Sequence, residues 1–76
     1  MRVRDPNALR SYVRLLGLSE RALAVRAGVG HATVNHLVSG RRDRCSERTA
    51  IAIEAVLECP RGLFFERVGA VSERSA

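Results

Sequence analysis

Between Leu18 and Gly40 the apolar positions fall into two short groups at helical spacing, each bounded by residues that start or stop a helix. Leu23, Ala24 and Ala27 share one face of the first helix. Ser19 ahead of them offers a capping hydroxyl, and Glu20 favours the positive end of the helix dipole. Gly28 supplies a left-handed stop. Val29 then turns back toward the core and Gly30 opens a second helix. There Val34, Leu37 and Val38 form a narrow apolar stripe that ends at Ser39-Gly40. The pattern predicts two short helices joined by a tight turn, a helix-turn-helix whose second helix leaves its polar side chains outside.

The flanks supply the rest of a core. Asp5 precedes Pro6, which suits the first position of a helix, so a helix is expected to start there, bury Leu9, Val13 and Leu16, and end at Gly17. Leu18 re-enters the core. After Gly40 comes the basic connector RRDRC, and Ser46 with Glu47 opens a fourth helix on Ala50, Ile53 and Leu57. Ile51, Ala52 and Val56 widen that apolar face, a surplus that a partner subunit would cover. Pro60 breaks this helix after Glu58-Cys59 and is expected to begin a fifth, PRGLFF, whose Leu63, Phe64 and Phe65 are the bulky side chains that close the core. MRVR reads as a short basic arm. Val68, Ala70 and Val71 alternate weakly, so residues 67–76 form either a tail or a dimerisation strand. The expected fold is all-α, a compact bundle of five short helices, in one domain over residues 1–76 with its folded core at 5–66.

Composition narrows the function. At 76 residues the chain has room for a modest core and none for a large substrate cleft. Its formal charge is +5, and all 13 basic side chains are arginine, whose forked guanidinium suits phosphates and guanine edges. No apolar run reaches the roughly 20 residues that cross a bilayer, and MRVRDPN lacks the apolar stretch of a signal peptide, so a cytoplasmic protein is expected. Cys45 and Cys59 are read as free thiols. A zinc site from His31, His36, Cys45 and Cys59 is disfavoured because histidines five apart on a helix diverge by about 140°. No nucleophile, base and oxyanion-donor set and no phosphate-cradling glycine loop is visible. We therefore expect no enzyme, no metal and no cofactor.

Taken together, Leu16-Gly17-Leu18-Ser19, Leu23-Ala24 with Ala27-Gly28-Val29, Thr33-Val34 with Leu37 and Gly40, and Ile53 to Leu57 followed by Pro60 and Leu63-Phe64 resemble the Cro and repressor class of phage-type helix-turn-helix proteins, the Xre family, over residues 7–66. The resemblance implies a lambda-repressor-like fold whose first motif helix crosses the DNA backbone. It implies a second that lies in the major groove, usually in a symmetric dimer reading two half-sites. The chain departs from the pattern in two ways. Glu20 stands where similar phage repressors often carry a glutamine that donates to phosphate. Val13 and Val38 stand where several relatives bury an Arg-Glu pair, an exchange that an apolar pair makes at no net cost.

Around the recognition helix, Ala32, His36 and Ser39 lie opposite the apolar stripe, with Thr33 and Asn35 on its flanks. His31 lies in the exposed first turn, where similar proteins carry a base-contacting residue. The candidate base readers are His31, Ala32, Thr33, Asn35 and His36, with Asn35 suited to adenine, the histidines to guanine or phosphate, and Ala32 or the Thr33 methyl to a thymine methyl. The candidate phosphate contacts are Ser19, Ser39, Arg41, Arg42 and Arg44, with Arg2, Arg4, Arg10 and Arg14 as weaker extensions. The expected partner is a double-stranded DNA operator, bound by a homodimer that represses by excluding RNA polymerase. Arg21 and Arg26 would offer a polymerase contact if the protein instead activates. The same fold also serves antitoxins and adaptors that bind a toxin or another regulator, for which Ile51, Val56 and Val68 to Val71 would form the apolar patch.

Overall fold

The computed structural model describes residues 1–68. Helix α1, Pro6–Leu15, begins where Asp5 accepts from the amides of Asn7 at 3.0 Å and Ala8 at 3.4 Å. It buries Leu9 and Val13. Leu16, expected on that face, is instead the C-cap and 45 % exposed. The helical spacing from Leu9 and Val13 holds only while the helix continues, and it stops one residue earlier. The chain turns through Gly17, whose φ of +74° suits glycine, and the half-buried Leu18 packs against the core in its place.

Helix α2, Glu20–Ala27, is capped by Ser19, whose Oγ accepts from Ala22 N–H at 3.0 Å. It ends at Gly28 with φ +72°, where Val29 N–H donates to Ala24 O and Gly28 N–H to Val25 O, the paired bonds of a Schellman stop. Helix α3, His31–Ser39, follows at once from Gly30, and α4, Glu47–Leu57, starts from Ser46, whose Oγ accepts from Thr49 N–H at 3.1 Å. Packing of α2 on α3 and α4, and of α1 on α3, encloses Leu9, Val13, Leu23, Val34, Leu37, Val38, Ile53 and Leu57. Val13 and Val38 are both buried within this cluster.

Two expectations fail at the ends of the chain. The described residues hold four helices, not five, and the basic N-terminal segment is not a free arm. Strand β1, Arg2–Val3, pairs antiparallel with β2, Phe65–Glu66, setting Arg2 opposite Glu66 and Val3 opposite Phe65. The PRGLFF segment makes a turn, with Leu63 N–H donating to Pro60 O and Gly62 at φ +86°. The cause is Glu54, buried on α4 at 3 % exposure. Its carboxylate accepts from Gly62 N–H at 3.1 and 3.2 Å and from Phe64 N–H at 3.2 Å, the second an amide that a helix begun at Pro60 would turn onto the Pro60 carbonyl. Phe64 and Phe65 close the core as expected, Phe64 against the Tyr12 ring at 5.1 Å between centroids, whereas Leu63 is 47 % exposed. Of the C-terminal stretch read as tail or strand, residues 69–76 lie outside the described residues. No helix among the described residues is long and apolar enough to cross a membrane.

Candidate nucleic-acid interface

Burying Val34, Leu37 and Val38 leaves the other side of α3 turned outward. His31, Ala32 and Ser39 are exposed, while Thr33, Asn35 and His36 are half-buried along the helix. The Gly28 stop and Gly30 cap hold the start of α3 close behind α2, and one side-chain bond spans the two helices: Asn35 Nδ2 donates to Glu20 Oε1 at 2.9 Å. Glu20, anomalous as a phosphate ligand, thus has a structural partner. A primary amide has two N–H donors and one acceptor oxygen, so Asn35 retains one N–H and its Oδ1, the pair that reads adenine.

The two serines differ. Ser19 Oγ accepts the Ala22 amide, which leaves its own hydrogen free to donate. Ser39 donates its hydrogen to His36 O at 3.3 Å and accepts from Arg41 N–H at 3.3 Å, so its hydroxyl is engaged on both sides in closing the helix.

The segment that follows holds Arg41, Arg42 and Arg44, all exposed, and among the described residues none of the three is in an ion pair. Arg42 N–H donates to His36 O at 3.0 Å, folding the loop against the end of α3. Elsewhere arginines are engaged: Arg2 and Arg4 on Glu66, Arg67 on Glu47, and Arg10 on the side chain of Asn7. Hydrogen bonding from Arg2, reinforced by the charges of Arg2 and Arg4, holds the Glu66 carboxyl below the usual carboxylate range. Burial pushes the thiols of Cys45 and Cys59 upward, away from the thiolate form a metal would need. Among the described residues no three His, Cys, Asp or Glu side chains gather as a metal site.

A family model described as helix-turn-helix matches residues 9–64. The chain belongs to the Cro/repressor-type, or Xre, helix-turn-helix family. No curated protein and no solved structure matches it significantly. As an Xre-family protein it is a DNA-binding transcription regulator, with α2 and α3 as its motif helices. The matched span covers all of α2, α3 and α4 and stops short of both ribbon strands.

Three contributors escaped the sequence pattern. Glu20 as the partner of Asn35 was open to inference, because the two positions stand at a fixed offset across a gapless motif. Glu54 sits between Ile53 and Ala55 and reads as a solvated charge on an apolar helix. Arg2 gave no signal at all of pairing with residues more than 40 positions away.

Proposed function

We propose that the protein is a sequence-specific transcriptional repressor of the phage Cro type, a homodimer that occupies a pseudo-palindromic operator in the cytoplasm and excludes RNA polymerase from an overlapping promoter. It acts by binding and is not an enzyme. The observation that carries this reading is the juxtaposition at the end of α3: an outward polar helix face runs directly into three exposed arginines that have no carboxylate partner among the described residues. In that docking His31, Ala32, Thr33, Asn35 and His36 address base edges, with Glu20 orienting the Asn35 amide. Arg41, Arg42, Arg44 and Ser19 take phosphates, which fix register without reading sequence. Ser39 contributes chiefly by closing the helix. The half-buried Ile51 and Val56 support an apolar contact between subunits.

The test is selection of bound sequences from random duplexes at about 0.15 M salt, where non-specific binding is weak. Recovery of an inverted repeat with half-sites roughly 10 base pairs apart is the expected result. Absence of any enriched sequence overturns it. Leu15 at 80 % and Val25 at 75 % exposure favour a second reading, an antitoxin or adaptor that covers these side chains with a protein partner. A stoichiometric complex recovered by pull-down, together with no enriched duplex, establishes that alternative.

A further inference from the structure

The loop after α3 is held at two places by two different parts of the chain. Its first half is tied to the helix it follows, through Arg41 N–H on Ser39 Oγ and Arg42 N–H on His36 O. Its second half is tied to the N-terminal strand: Val3 N–H donates to Asp43 O at 2.7 Å, and Cys45 N–H donates to Met1 O at 3.0 Å. These two bonds form an isolated antiparallel bridge between Arg2 and Arg44, which ties Asp43–Cys45 to the free edge of β1 in the two-stranded β1–β2 ribbon. The ribbon is anchored in turn. Val3 and Phe65 are buried, Arg4 N–H donates to Phe64 O at 2.8 Å, and Phe64 N–H rests on the buried Glu54. Backbone restraint therefore runs from α4 through both ends of the described chain to the loop that carries Arg44. Both ribbon strands lie outside the span of this chain that the family model matches.

We propose that the β1–β2 ribbon braces the phosphate-contact loop, with Val3 as the positioning residue that holds Arg44 at a fixed height beside the DNA backbone. The inference rests on the DNA-binding reading for its consequence, though not for the brace itself. A cation on an unsupported loop spends binding energy on ordering that loop, whereas one on a paired strand arrives ordered. The ribbon thus converts residues that read no bases into determinants of affinity.

Two measurements on Val3→Ala, which changes no charge, test this. Amide hydrogen exchange without DNA should show protection at Cys45 falling at least about tenfold while Leu37 and Val38 in α3 are unchanged, as expected for local opening. Unchanged protection at Cys45, or an equal fall in α3, overturns the brace. In operator binding, Val3→Ala should weaken the unmodified protein about fivefold but leave an Arg44→Gln background within about twofold, the signature of residues acting through one another. Equal losses in both backgrounds would make Val3 a general stability residue and overturn its positioning role. Should Val3→Ala fail to fold, Glu66→Gln loosens the ribbon from its exposed edge and is read by the same exchange criterion. If the unmodified protein binds no duplex, the functional reading fails, and the exchange result alone decides the brace.

Discussion

Replacing Glu54 by alanine should destabilise this domain more than any surface substitution, and the size follows from the bonds it makes. The Glu54 carboxylate is 3 % exposed and takes the amides of Gly62 and Phe64, at 3.1 to 3.2 Å. Each amide left without a partner costs about 1–3 kcal/mol. Removing a buried charge returns part of that, so we expect a net loss of about 3 kcal/mol for Glu54→Ala. A domain of this length has on the order of 4–11 kcal/mol in total, and 1 kcal/mol corresponds to roughly 4–8 °C in Tm, so the midpoint should fall by about 12–24 °C. Glu54→Gln keeps the shape but retains a single acceptor oxygen and turns an N–H₂ toward a backbone donor, so it should lose about 2 kcal/mol. Urea denaturation followed by circular dichroism measures both. If both variants fall within about 0.5 kcal/mol of the parent, the typical range for surface changes, the turn is not held by Glu54 and the account given for the missing fifth helix is wrong.

Other outcomes follow from the same structure. Gly28→Ala meets no atom within 4 Å but must adopt φ +72°, so it should cost about 1–2 kcal/mol through backbone strain alone, and a neutral effect in denaturation would contradict the left-handed stop. Arg42→Gln should weaken binding to all duplexes alike and reduce the slope of log K against log salt by about one, and an unchanged slope removes Arg42 from the phosphate contacts. Because the Glu66 carboxyl ionises at lower pH in the folded chain than in the unfolded one, its contribution is complete above the unfolded value and is lost as pH falls through the depressed folded value. A carboxyl NMR titration should show that midpoint rising in Arg2→Gln, and an immobile midpoint would deny the pairing.

All four helix starts, and the stops of α2 and α3, were legible because the interactions that set them are local, whereas α1 ends before Leu16 and α4 ends at a left-handed Glu58 that the pattern did not mark. Asp5, Ser19 and Ser46 bond to amides two or three residues ahead, and Gly28 and Gly40 adopt the left-handed conformation at the ends of α2 and α3. Apolar spacing likewise identified Leu9, Val13, Leu23, Val34, Leu37, Ile53 and Leu57 as core, and the family followed from those same landmarks. The outward placement of His31, Ala32 and Ser39 on α3 was legible for the same reason, since a helix with one buried stripe has its opposite face assigned by geometry, whereas His36, expected opposite the stripe, is half-buried. Asn35 is a further exception, because its bond to Glu20 depends on how α2 and α3 cross.

What only the tertiary structure decided lies where partners are distant or where elements are too short to show a period. Two-residue strands carry no readable alternation, so MRVR looked like an arm and PRGLFF like a helix. The ribbon exists because residues 1–4, 43–45 and 64–66 meet in space, and Val3 with Phe65 gains burial only once they do. Glu54 is buried because the turn it organises folds back over it, and in the linear chain nothing separates it from an exposed glutamate on the same helix. Helix ends are settled by bonds spanning a few residues and can be read in order along the chain, whereas this ribbon depends on contacts 42 to 64 residues apart, whose energy appears only after the helices have packed.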